Sequence, residues 1–288
     1  SNFDFKMPVG EVAGLPGEVE GFYKTIKNGV SGIGREIHDH TAAYGSGGSL
    51  LGIIEMGDLT QKISDPLDPN FSKTLGTLSH EVLHQWAAYI SFVDDGGASS
   101  DALLGRSRCH WSFLFDTAGS LQYGNRWRDN GDGTFTSLAG RKHFSPLDLY
   151  LMGLIDKSEV PEMKLIKSTG VDPYGLPEAG VTIEGTAHTV TIEDIIAAEG
   201  ERIPSVKDSQ KAFRIGTILI SRPGTFEVAE AYQVQTIINE WVTWFSALTG
   251  GRAQVIPDAS MSVEIPENPG IHPAPHNQRC PALSGQNR

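Results

Sequence analysis

Cysteine is nearly absent: the 288 residues contain only Cys109 and Cys280. No multi-bridge framework can therefore stand in for a hydrophobic core. Two readings of the pair stay open, a single disulfide tying the tail to the body or two unpaired thiols. Long apolar runs are missing too. None approaches the roughly 18–20 residues that a bilayer-crossing helix needs, so no membrane span is expected. Positive charge is scarce, with 23 basic residues against 35 acidic and a net charge of -12. The lysines and arginines do not gather into the basic face that phosphate neutralisation requires, which argues against a nucleic-acid partner. Internal repeats and low-complexity blocks are likewise absent.

What is present is ordinary globular material, 39% hydrophobic with 5 Trp, 12 Phe and 7 Tyr, enough to build a sizeable core. The acidic, Gly- and Pro-containing composition leans toward a secreted or extracellular protein, a periplasmic one included. The opening Ser1-Asn2-Phe3 is read as the start of a processed form whose targeting segment has been removed.

Residues 14–28 are predicted as a short helix between Pro16-Gly17 and Asn28-Gly29, and Ser49–Met56 as a buried strand. A long helix is predicted over about Phe71 to Val93, because Phe71, Leu75, Leu78, Val82, Trp86, Tyr89 and Val93 recur at spacings of three and four. Gly96-Gly97 is its expected stop. Residues 98–109 read as loop and residues 110–116 as a strand. A hairpin is expected over Asn125–Leu138, turning at Asp129-Asn130-Gly131-Asp132-Gly133. Ser145-Pro146 opens a helix over Leu147–Leu154. A strand at Thr189–Ile192 precedes a helix capped by Thr191 and Asp194. Phe213–Ser221 reads as a strand. The stripe Val234, Ile237, Ile238, Trp241, Trp244, Phe245 and Leu248 reads as a long helix. Residues 1–256 are expected to form one catalytic domain with a junction between lobes near 161–186, and 257–288 a Pro-rich extended tail.

The chemistry lies in His80-Glu81-Val82-Leu83-His84. Histidines four apart on a helix project from one side and can reach one Zn²⁺, with ring nitrogens about 2.0–2.1 Å from it. Glu81 stands where a carboxylate can take a proton from a zinc-acidified water as it attacks a carbonyl.

These residues resemble the zincin superfamily of metallopeptidases over at least residues 49–154. The resemblance rests on the strand Ser49–Met56, the motif helix and the downstream Tyr150-Leu151-Met152-Gly153. It implies an α+β fold with a mixed sheet, an active-site helix and a C-terminal helical part. It also implies a protein or peptide substrate, held by backbone pairing if Ser49–Met56 borders the cleft; the alternative places that strand in mid-sheet. The chain departs from both familiar continuations. Ala87 and Ile90 occupy the metzincin Gly and third-ligand positions, and no Glu for a gluzincin ligand occurs between Glu81 and Glu159.

The third ligand must therefore be sought in this chain. His110 is the choice, with Asp94, Asp95, Asp101, Asp116 and Asp148 as fallbacks; an extended 110–116 would point Cys109 away from the metal. The zincin resemblance also asks for an oxyanion donor, for which Tyr150 and His143 are candidates with Tyr123 behind them. Met152 would floor the site and Asp148 would support a ligand histidine. The Asp129–Gly133 stretch invites a Ca²⁺ reading, but residues 134–140 hold no closing acidic ligand, so a hairpin turn is preferred. The expected function is a secreted zinc metallopeptidase. The alternatives are a zinc hydrolase of a non-peptide bond and a secreted binding or adhesion module with a structural metal.

Overall fold

The computed structural model describes residues 2–10, 20–221 and 227–258. In chain order these form β1 (Phe5–Gly10), β2 (Phe22–Thr25), β3 (Gly52–Glu55), α1 (Phe71–Leu83), β4 (Phe115–Asp116), β5 (Arg126–Asp129), β6 (Thr134–Leu138), α2 (Pro146–Met152), β7 (Met163–Lys167), β8 (Thr182–Glu184), β9 (Thr186–Val190), α3 (Ile192–Glu199), β10 (Ala212–Ile220), α4 (Val228–Leu248) and β11 (Gln254–Pro257). The fold is α+β. Its main sheet is mixed, in the order β11-β10-β1-β3-β2. β2 is antiparallel to β3, while the other pairings are parallel. Two three-stranded antiparallel sheets, β8-β6-β5 and β9-β7-β4, accompany it.

Side chains alternate across a strand, so β1 turns Phe5, Met7 and Val9 into the core and leaves Lys6 and Pro8 half-buried on the other face. The inward face meets aromatic rings from several elements. Phe5 packs edge-on to Trp86 at 6.3 Å and against Phe213 of β10 at 5.9 Å, and Phe213 meets Phe245 of α4 at 6.5 Å. Trp241 of α4 is fully buried and donates its indole N–H to Ser79 Oγ at 2.9 Å, beside His80. The second half of the chain thus supplies part of the sheet and a helix that braces α1.

Several expectations hold. The hairpin forms with its predicted turn. α2 starts on a Ser145–Asp148 capping box with Pro146 in its first turn and stops at Gly153 in the left-handed region. α3 is capped by Thr191 and Asp194, and the stripe from Val234 onward lies on α4.

Others are corrected. Of the helix expected over 14–28, residues 14–19 lie outside the described residues, and Phe22–Thr25 is strand β2. Its aromatic and β-branched residues pair Phe22 with Glu55 and Tyr23 with Ile54, which buries Tyr23. Of the two placements left open for Ser49–Met56, the mid-sheet one holds: it contributes Gly52–Glu55 to the sheet interior, and β2 is the edge strand. The strand expected over 110–116 survives only at Phe115–Asp116, because residues 110 to 115 are buried on every side and offer no alternating environment. The strand expected at 189–192 lies at Thr186–Val190, cut off by the Thr191 cap. The 161–186 stretch contains β7 and β8, and the expected tail lies outside the described residues from 259 onward.

The largest correction is α1, predicted to Val93 but ending at Leu83. Beyond it the N–H groups of His84, Gln85 and Trp86 turn to carbonyls three residues back. The carbonyls of His84 and Gln85, which a longer helix would spend on its next turn, accept from the Arg35 guanidinium at 3.2 Å each, and Tyr89 Oη donates to His84 O at 2.8 Å. Side chains thus satisfy the helix end in place of a glycine cap. Replacing Trp241 by Ala should cost about 3–5 kcal/mol in denaturant unfolding. A loss below about 1 kcal/mol would show that α4 does not brace α1.

Candidate metal centre

His80 and Glu81 lie in the last turn of α1 and His84 is its C-cap. His110 arrives from a separate segment, after the single turn Arg106–Arg108. That turn is drawn tight by a hydrogen bond from Gly105 N to His110 O at 2.8 Å. A side chain at Gly105 would bring a Cβ to 2.7 Å from the Trp111 carbonyl, so the close approach needs glycine there.

One ring nitrogen from each histidine falls within 4.8 Å of the others, and the three buried rings could hold a metal ion. The donor set fits one. His80 Nδ1–H donates to the Leu121 carbonyl at 2.6 Å and His110 Nδ1–H to the Arg106 carbonyl at 2.9 Å, which leaves the Nε2 lone pair free on both rings. These two Nε2 atoms face each other at 3.2 Å. Burial drives the imidazoles toward the neutral form, lowering His80 from 6.5 to about 4 and pushing His84 and His110 well below the usual histidine range. Lone pairs converging without protons between them repel each other, and a cation placed among them removes the repulsion.

Glu81 is the neighbouring acid. It is only 2% exposed, and His80, His84 and His110 are 5%, 3% and 1% exposed. The sequence placed these residues on a cleft-lining face, whereas the fold encloses them. Burial pushes the Glu81 carboxyl up to about 8, against a downward pull from Lys62. Gly21, just ahead of the edge strand β2, lies against it so closely that an added Cβ would be 2.9 Å from Glu81 Oε1. The Gln85 side chain anchors the helix end to the same region, accepting from the Tyr23 hydroxyl and donating to Lys27 O at 2.9 Å.

Tyr123 stands behind His110 with its ring stacked at 4.5 Å and 14°, and 5.5 Å from the His80 ring. The Arg106 side chain hydrogen-bonds its hydroxyl, and burial raises that hydroxyl to about 12. Its φ of 76° is a left-handed conformation that tyrosine rarely adopts. Nothing in the sequence around Tyr123-Gly124 signals this turn.

The other named residues lie elsewhere. The Tyr150 hydroxyl accepts from Arg202 N at 3.3 Å, and no ring contact or hydrogen bond joins it to the histidines. His143 is half-buried, its Nδ1 3.2 Å from Arg141 O. Met152 is buried core. Asp94 closes its own glycine turn, Asp95 pairs with His188 and Lys167, Asp101 with Arg108, and Asp116 accepts from Ala118 N and Trp127 N. Asp148 is fully buried but contacts no ligand histidine directly. Cys109 is disulfide-bonded, and its sulfur lies 3.4 Å from His110 Nδ1, the nitrogen turned away from the cluster; Cys280 lies outside the described residues. In the 129–133 turn, Asp129 and Asp132 accept from Gly131 N and Thr134 N, so their oxygens serve the hairpin. Sequence reasoning also passed over Arg35, whose guanidinium bonds backbone carbonyls some fifty residues away, and Leu121 and Gln122, which act through a carbonyl and an amide; none of them belongs to a motif.

No family model, curated protein or solved structure matches the chain.

Two outcomes follow for the metal-free protein. Glu81, raised from 4.5 to about 8, contributes stability that is complete below pH 4.5 and lost as pH rises through about 8. His80, lowered from 6.5 to about 4, contributes stability that is complete above pH 6.5 and lost as pH falls through about 4. Glu81→Gln should therefore flatten the alkaline limb of a stability profile and leave the acid limb in place. Separately, His110→Ala should lose the metal by elemental analysis; full occupancy in that variant would remove His110 from the ligand set.

Proposed function

We propose that the protein is a zinc-dependent metallopeptidase. The observation that carries this reading is the convergence of three buried imidazoles, two of them from the helix segment that also carries the buried Glu81. His80, His84 and His110 hold the ion. Bound there, Zn²⁺ supplies a Lewis acid that acidifies water and polarises a carbonyl. Glu81 takes a proton from the attacking water and delivers it to the departing amine. Its enclosure suits both roles, since a carboxyl raised toward neutrality can accept and release a proton near the working pH. Leu121 O and Arg106 O fix the tautomers of His80 and His110, so that neither ring competes for the proton. β2, the edge strand of the main sheet among the described residues and anchored to the end of α1 through Tyr23 and Gln85, would pair with an extended peptide beside the base. Export suits the disulfide at Cys109, since such bonds persist in oxidising compartments.

A second reading, a structural metal in a binding or adhesion module, draws support from the near-complete burial of all four side chains. One experiment separates the two. Zinc-loaded wild type and Glu81→Gln are compared on an unfolded protein substrate. The variant should keep its zinc and lose about 10²–10⁴-fold in turnover. Undiminished turnover would end the peptidase reading. An inert wild type that unfolds on chelation would support the structural one. Turnover of an ester but no peptide would point to a hydrolase of another bond.

A further inference from the structure

Asp148 is a buried carboxyl that the proposed chemistry does not use. It is 0% exposed, and its partners among the described residues are neutral donors. Oδ1 accepts the Trp111 indole N–H at 2.9 Å; Oδ2 accepts the Ser120 hydroxyl at 2.7 Å and Ser145 N–H at 2.7 Å. Only the last belongs to the cap of α2. The other two reach the separate segments that carry the metal centre. Trp111 follows His110 directly. Ser120 precedes Leu121, whose carbonyl orients His80, and Ser120 Oγ also accepts Gln122 N–H at 2.9 Å. Gln122 closes the circuit, donating Nε2–H to His80 O at 2.8 Å and accepting Trp111 N–H on its carbonyl at 2.9 Å.

We infer that Asp148 is a positioning residue that sets the separation of His80 and His110, and thereby the affinity and geometry of the metal centre. The inference rests on the metal-centre reading above. One rigid carboxylate gauges both ligand segments, so the 3.2 Å approach of the two Nε2 atoms is fixed from outside the ligand set. A neutral amide cannot replace it. With its oxygen kept on Ser120 and Ser145, the NH₂ of an Asn would confront the Trp111 N–H, donor against donor, and the His110 segment would be pushed away.

The test uses the full chain, stripped with a chelator and titrated with Zn²⁺ and Co²⁺. Affinity comes from competition with a chromophoric chelator, and ligand geometry from the visible absorption of the Co²⁺ form. Asp148→Asn should bind about 10–100-fold more weakly and shift the cobalt bands. Trp111→Phe and Ser120→Ala should each weaken binding less. Trp111→Phe combined with Asp148→Asn should recover part of the affinity lost in Asp148→Asn alone, because Phe removes the donor that confronts the amide. Ser145→Ala loosens the α2 cap without touching either ligand segment; it should lower the melting temperature and leave affinity and spectrum unchanged.

Wild-type affinity and spectrum in Asp148→Asn would overturn the inference, as would equal impairment in Ser145→Ala. Should Asp148→Asn fail to fold, unchanged affinity and spectrum in both Trp111→Phe and Ser120→Ala would overturn it instead. A wild-type chain that binds neither ion would refute the metal centre itself, whereas normal wild-type binding with an unaffected Asp148→Asn would refute the positioning role alone.

Discussion

Three imidazoles brought together in a water-poor interior cannot all be protonated, and their facing lone pairs cannot be left unsupported. That constraint shapes the surrounding chain. Each Nδ1–H of His80 and His110 needs an acceptor, and the fold supplies backbone carbonyls from Leu121 and Arg106. A carbonyl is a sound choice in a buried place, because it fixes the tautomer without adding a charge that would itself need a partner. The loops from 105 to 111 and from 120 to 123 are irregular because they present those carbonyls and His110, not because they connect regular elements. Some of their backbone groups are tied off by the Ser120 side chain, which accepts Gln122 N–H, and by one another.

The same demand explains why α1 ends where it does. His84 is both a member of the histidine cluster and the helix cap, and the chain leaves the helical path at that residue. Arg35 and Tyr89 accept the consequence by donating to the carbonyls that are released, with the guanidinium also stacked over the Tyr89 ring at 4.6 Å. Ahead of the histidines, Ser79 receives Trp241 of α4. The motif is thus held from both sides by residues far away in sequence.

Sequence legibility follows the same division. Features encoded by neighbouring residues were readable: the Ser145–Asp148 and Thr191–Asp194 caps, the Asp129–Gly133 turn, the stripe of α4, and the spacing of His80, Glu81 and His84. His110 was found by eliminating the familiar third-ligand positions and then by its place after the helix, and the fold does bring it into the cluster. Features set by partners distant in sequence were not readable. No residue near His84 announces a helix stop, since the stop comes from Arg35. The Phe22–Thr25 strand exists through its register with Gly52–Glu55. Tyr150 looked suitable from its short helix and neighbouring Met152, yet its hydroxyl faces Arg202; Tyr123, in a backbone conformation that composition does not reveal, stands at the cluster instead.

The parallel pairing of β1 with β10, from Phe5↔Ile215 to Gly10↔Ile220, has a consequence for how the molecule comes into being. The first strand of the described chain waits for one of the last, so this part of the sheet cannot close during synthesis until more than two hundred residues have emerged. Phe5 also forms the floor beneath Trp86, two residues past His84. The motif helix is therefore made early but gains its floor late. Such long-range contacts fold slowly and leave a half-made chain exposed. A chain interrupted before residue 212 would carry His80, Glu81, His84 and His110 without the β1–β10 pairing behind them, so the cluster gains its backing only once β10 has been made.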